Sequence, residues 1–196
     1  MRIKLTFDVE FPSNPKIQNN QLEQILKILE ANKITATFFI EGRWAQANIE
    51  QVAQIHDLGH VLGNHTFHHC QCINLTPFGL YRELTKTDRI LTSITGKRGP
   101  HPFRLPYGSG HKSLYVKLML KMLGFKHTHW DIDSFDWRDD AAQIIRNLET
   151  QIIDFKGKEP VVLFHSWPKG TLAGLNYLIE NVEVEEVQSV RIHKND

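Results

Sequence analysis

Ile3, Leu5 and Phe7 alternate with Lys4, Thr6 and Asp8, the two-residue period of a strand that begins almost at residue 1. Across 17–32, Leu22, Ile25, Leu26 and Leu29 recur at helical spacing. The β-branched and aromatic run 35–40 predicts a second strand. A helix over about 45–58 is stopped by Gly59, and 60–63 is short and apolar, a third strand. Helix returns over 77–95, with Pro77 in its first turn and Gly96 just past its end. The pattern then predicts a strand at 103–105, a helix over 113–123 closed by Gly124, and a strand over 125–130. A helix over 141–155, a buried strand at 161–164 and a last helix over 172–180 follow. From 182 to 196 no periodicity emerges.

Strands alternating with helices of this length indicate βαβ units and a parallel sheet. No linker interrupts the pattern, so 1–196 reads as one domain. A complete eightfold barrel takes about 250 residues. The fold class expected is therefore α/β, a distorted or incomplete (β/α) barrel with six to eight parallel strands. An open doubly wound sheet is the alternative, although no G-x-G-x-x-G loop follows the first strand. In either architecture the active site belongs at the C-terminal ends of the strands.

The chain of 196 residues is 41% hydrophobic and 23% charged, enough for one substantial core. Lys plus Arg is 23 against 22 for Asp plus Glu, a net charge of +1 that gives no reason to expect a nucleic acid or a membrane surface as partner. No apolar run approaches the roughly 18 residues of a transmembrane segment. The N-terminus lacks the apolar core of a signal peptide, so a cytoplasmic location is expected as written, with a trimmed exported protein as the alternative. Oligomeric state leaves no trace in the sequence. Cys70 and Cys72 are too close in the chain for an unstrained disulfide and read as reduced thiols. The count that stands apart is 11 His.

Ionisable groups collect where predicted strands end. Asp8 and Glu10 are two apart, so an extended strand points both to one side and Val9 to the other. Such a pair can divide into metal ligand and general base, or be a solvated strand end. His65 and His69 share one face if their segment is helical, a spacing that suits Zn²⁺ with an oxygen ligand and water. A solvated histidine loop is the bland alternative, and a closed zinc site with Cys70 and Cys72 a third, against which C-x-C spacing counts. His68 shares neither face and reads as exposed. Arg104 is either a surface charge or a fork holding a carboxylate at the rim. His165 closes an apolar strand and, taken alone, fits a hydrogen-bonded core histidine better than an acid.

Taken in order, these segments resemble the polysaccharide deacetylase family (carbohydrate esterase family four, the NodB homology domain). Thr6-Phe7-Asp8-Val9-Glu10 matches its T-F-D-D-G motif, and His65-Thr66-Phe67-His68-His69 its H-[ST]-x-x-x-H motif. Arg104-Leu105-Pro106-Tyr107, Asp133-Ser134-Phe135-Asp136-Trp137 and Leu163-Phe164-His165 match the later ones, and 36–42 and 59–64 are also characteristic. The resemblance implies hydrolysis of an acetamide on an amino sugar with one divalent metal, and Zn²⁺ is the ion expected in this chain. It implies Asp8 as base, His65 and His69 as metal ligands, Arg104 orienting the base, His165 as acid and Asp136 tuning that acid. It also implies a Tyr107 backbone N–H for the oxyanion, with Trp137 and Leu163 walling the acetyl pocket.

One departure stands out: the family's usual aspartate ligand falls on Val9. Glu10 is the substitute, because it shares the face of Asp8. The expected partner is therefore a carbohydrate or a small amide. A deformylase or ureide hydrolase, an esterase, and a catalytically silent carbohydrate-binding module of the same fold are the rival readings.

Overall fold

The computed structural model describes residues 2–12, 20–155 and 159–184. Its centre is the strand Arg2–Val9 (β1), flanked by Thr37–Ile40 (β2) and Val161–His165 (β5). Val61–Asn64 (β3) pairs with β2 and Ile132–Asp133 (β4) with β5, all in parallel. The alternation read at the start of β1 ends at Leu5, after which every residue of the strand is buried. That is what a strand covered on both faces requires.

Odd positions of β1 face the helices. Phe7 stacks on Phe38 at 5.0 Å and on Phe164 at 5.7 Å, a row of rings across three neighbouring strands. Ile3, Leu5 and Val9 belong to the same core, and each ring so buried is worth about 2–3 kcal/mol. Even positions face the interior of the curved sheet. There Phe39 lies against Gly63, where a Cβ would come within 2.5 Å of the ring. The glycine is thus required by close approach.

The helices follow the sequence pattern with two changes. Leu22–Ala31 (α1), Pro77–Thr95 (α4), Leu114–Met122 (α5), Ala141–Ile152 (α6) and Thr171–Asn181 (α7) are where periodicity places them. The expected start of α1 at 17 lies outside the described residues. The single helix expected over 45–58 is two, Gly42–Ala47 (α2) and Ile49–Asp57 (α3). Asn48 breaks it with a backbone at φ −136°, its amide turned back to donate to the Trp44 carbonyl at 2.8 Å.

The strands expected at 103–105 and 125–130 shrink to single bridges, Asn64 to Phe103 and Phe103 to His127. Pro102 and Pro106 bracket the first of these and bring no N–H to a ladder. The element that pairs with β5 comes later, as β4. Two residues of the patternless tail, Glu183–Val184 (β6), pair with the start of β1, and the rest of that tail lies outside the described residues. Six parallel strands among the described residues, not closed by continuous ladders, make a distorted (β/α) barrel.

Candidate active site

The C-terminal ends of β1, β3 and β5 bring the predicted groups to one rim. Asp8 is 4% exposed, with Oδ1 accepting from Arg104 Nη1 at 2.9 Å. Arg104 is wholly buried, its guanidinium 4.2 Å above the Phe39 ring, with Nε donating to the Thr128 carbonyl at 3.3 Å. It is no surface charge. Its fork is not bidentate either, since Nη2 has no hydrogen-bond partner.

The helical backbone on which His65 and His69 would share one face is not found. Residues 65–69 form a bend in which Thr66 (φ 63°) and His69 (φ 51°) take left-handed backbone conformations. Asn64 Oδ1 accepts from Thr66 N at 3.0 Å, and Glu83 Oε2, from α4, accepts from Phe67 N at 3.0 Å and His68 N at 2.8 Å. This bend sets the two imidazoles 4.9 Å apart. His68 is exposed as expected, but its ring is tethered to Glu83 at 2.7 Å. Glu83 was silent in the sequence, being one of many acids on a helical surface.

Nδ1 of His65 donates to the Arg104 carbonyl at 3.0 Å, which leaves Nε2 with its lone pair. Glu10 Oε2 lies 2.6 Å from His69 Nε2 and 3.6 Å from His65 Nε2. Ligand atoms of the three side chains all fall within 4.8 Å of one another. Glu10 Oε2 and His65 Nε2 are buried without a well-formed hydrogen bond. Converging ligand atoms, two of them buried without a hydrogen bond, are the arrangement of a cation site, and two imidazoles with a carboxylate suit a divalent metal. Burial alone would raise the Glu10 carboxyl, but the neighbouring imidazoles hold it well below the usual range. Val9 is fully buried in the core, on the face opposite. The closed site with both cysteines does not form: the ligand cluster among the described residues holds Glu10, His65 and His69 without a cysteine, and the Cys70 S–H points to Glu83 at 3.4 Å.

His165 Nδ1 lies 2.8 Å from Asp136 Oδ1. The other oxygen of that carboxylate accepts from His165 N at 2.8 Å and from the Thr171 hydroxyl, at the start of α7, at 2.7 Å. Burial disfavours the imidazolium, yet Asp136, with Glu10 and Asp8 behind it, raises His165 to about 10. The surroundings thus favour the imidazolium, whose Nδ1 is held by Asp136.

Asp8, Glu10, His69 and His165 open into one cavity of about 530 Å³, walled by Tyr107, Trp137 and Leu163. Tyr107 (φ 57°) lies with its ring 4.5 Å from His69. Arg104, His65 and Asp136 stand behind this wall. Trp130, Asp133 and Trp167 complete it, and sequence reasoning gave them no role. Asp133 stood in view as the first residue of the D-x-x-D-W motif, where its Oδ1 accepts from Phe135 N at 2.8 Å. The two tryptophans carry no periodic signal.

The family model for polysaccharide deacetylase matches residues 1–128. The chain belongs to the polysaccharide deacetylase family. Peptidoglycan-N-acetylmuramic acid deacetylase PdaA of Bacillus subtilis is 30% identical over 136 residues, 69% of this chain and 49% of that protein. A family 4 carbohydrate esterase of Streptomyces lividans, solved in complex with acetate, matches with a TM-score of 0.75 and 26% identity over 91% of this chain and 86% of that one. The Bacillus anthracis pseudoenzyme BA3943 shares the fold, with a TM-score of 0.79 and 24% identity over 95% of this chain and 63% of that one. The chain spans about half the length of the curated relatives it matches. Asp136 and His165 lie beyond the residues matched by the family model.

Proposed function

We propose that this polysaccharide deacetylase domain hydrolyses an N-acetyl group on an amino sugar of an oligo- or polysaccharide, releasing acetate. One observation carries the reading. The Glu10–His65–His69 cluster opens into the same cavity as a carboxylate held by arginine and an imidazole held by aspartate. An amide needs its carbonyl polarised, a nucleophile made from water, and its nitrogen protonated, so three separate groups in one cavity meet three separate needs.

Glu10, His65 and His69 would hold the metal, with Zn²⁺ the preferred ion for two imidazoles and a carboxylate. When bound, such an ion polarises a carbonyl and lowers the pKa of water. Asp8 takes the proton from the attacking water, with Arg104 holding the carboxylate in place. The Tyr107 N–H is assigned to the developing oxyanion. His165, charged by Asp136, gives its proton to the departing nitrogen. Trp137 and Leu163 bound the acetyl group, and Trp130 and Trp167 offer flat apolar faces to a sugar ring.

Support for the substrate class comes from the name of PdaA and from the acetate bound by the Streptomyces lividans esterase. The test is metal content of the purified protein, followed by acetate release from N-acetylated oligosaccharides with the metal stripped and with Zn²⁺ restored. Zinc-dependent acetate release is expected. A protein that takes up no metal yet binds the glycans would be a carbohydrate-binding module instead.

A further inference from the structure

The β1–β2 ladder ends at the pair Val9 and Ile40, so Glu10 stands one residue past the last strand contact. A glutamate there has an extra methylene and no ladder to fix its backbone. A ligand loose at its root loses affinity, since the cation must then freeze the chain as well as bind the oxygen. Something else has to hold residues 9–11.

Glu41 does so from both sides. Its backbone N–H donates to the Val9 carbonyl at 2.9 Å, and its carboxylate Oε2 accepts from the Phe11 N–H at 2.9 Å. The two bonds bracket Glu10. The Glu41 side chain is fully buried, and its other oxygen takes Arg43 Nε and Nη2, both at 2.7 Å, so the buried charge is matched.

The same turn reaches the histidines. Gly42 N donates to the Thr66 carbonyl at 2.9 Å, and Arg43 N to the Phe67 carbonyl at 3.0 Å, inside the bend that separates His65 from His69. Close approach makes this possible: a Cβ on Gly42 would lie 2.5 Å from the Phe67 ring and 2.5 Å from the Thr87 hydroxyl. These three residues thus tie down the backbone on both sides of Glu10 and at two positions between His65 and His69.

The geometry points to Glu41 as the positioning residue of the metal site, acting through the backbone of Glu10, with Gly42 and Arg43 fixing the histidine bend to the same support. The inference rests on the metal-binding reading above. Glu41 touches neither cavity nor cation, and its effect belongs in affinity rather than in any chemical step.

The test measures the Zn²⁺ dissociation constant of the metal-stripped protein by competition with a chromophoric chelator. Glu41→Met fills the same space without an acceptor and is expected to weaken Zn²⁺ binding by about 10- to 100-fold. Glu41→Gln keeps one oxygen for the Phe11 N–H and is expected to recover most of that loss. Thermal unfolding of the zinc-free proteins identifies folded variants, and Glu41→Ala replaces the Met variant if the latter fails to fold. A folded variant without the acceptor that binds Zn²⁺ as wild type does, or no better binding by Gln than by Met, overturns the inference and leaves the metal site standing. A wild-type protein that binds no Zn²⁺ overturns both.

Discussion

Asp8 and His165 are register partners on the neighbouring parallel strands β1 and β5. Adjacent strands run about 4.8 Å apart, and residues in register present their side chains to the same face. The carboxylate and the imidazole are therefore placed side by side by the ladder itself. What distinguishes them is the partner behind each, Arg104 for Asp8 and Asp136 for His165. The guanidinium anchors the first carboxylate, and the carboxylate beside the imidazole favours the imidazolium.

Asp8→Asn is expected to retain Zn²⁺ while turnover on an N-acetyl substrate falls by about 10²- to 10⁴-fold, the usual loss for a general base. Metal analysis alongside the rate decides the point. A zinc-free variant would make Asp8 a ligand.

His165→Ala is expected to damage amide hydrolysis far more than hydrolysis of an aryl acetate, whose leaving group departs without a proton. The comparison is kcat/KM for both substrates at one pH, wild type against variant. An equal fall on the two would mean that His165 binds the acetyl group or maintains the site, and the acid role would have to be given up.

Thr171→Val deletes a buried hydrogen bond to the Asp136 carboxylate at nearly constant volume. A bond to a charged group of this kind contributes about 1.5–3 kcal/mol, so urea unfolding is expected to shift by that order. Turnover should fall with it, because the carboxylate holding His165 is loosened. Thr171→Ser restores the hydroxyl and is expected to recover both, and a Val variant with wild-type stability and rate would show the bond to be idle.

His60 gives the pH dependence of stability a source away from the site. Burial lowers its pKa to about 4 from the ordinary 6.5, and its Nδ1 accepts from Ala36 N at 3.3 Å, so the native ring is neutral. A group depressed on folding contributes fully above its unfolded pKa and loses that contribution as pH falls toward the folded one. At pH 5 the loss from this ring is about 2 kcal/mol. His60→Asn, which does not titrate, should show a smaller drop in unfolding temperature between pH 7 and pH 5 than wild type. Parallel curves would place the acid sensitivity elsewhere.

Long periodic elements were legible because their patterns repeat: α4 runs over the residues that Pro77 and Gly96 delimit, and β1 begins where alternation begins. Asp8, Glu10 and His165 were legible as polar residues at the ends of apolar strands. The segments around Phe103 and His127 were not, because an apolar triplet says nothing about how many ladder bonds its flanking prolines allow. The histidine bend was not legible, since i, i+4 spacing brings side chains together only where the backbone is helical, and two left-handed residues close the distance another way. Thr171, Glu41 and Trp167 are single residues whose roles depend on partners 30 or more positions distant or on a cavity wall, and no local pattern announces such a contact.

Val9 lies wholly in the core while Glu10 faces the cavity, so the two positions at which the carboxylate ligand could stand are on opposite surfaces of one strand. A carboxylate at position 9 is consequently no substitute for one at position 10. Placing aspartate at position 9 would bury an unpaired charge among apolar side chains, and removing the carboxylate from position 10 would strand two imidazoles. Each single step passes through a damaged intermediate, and the first also costs the fold. The pleat therefore decides which of two adjacent positions can present a carboxylate to the cavity, and a shift by one residue would turn that group into the core.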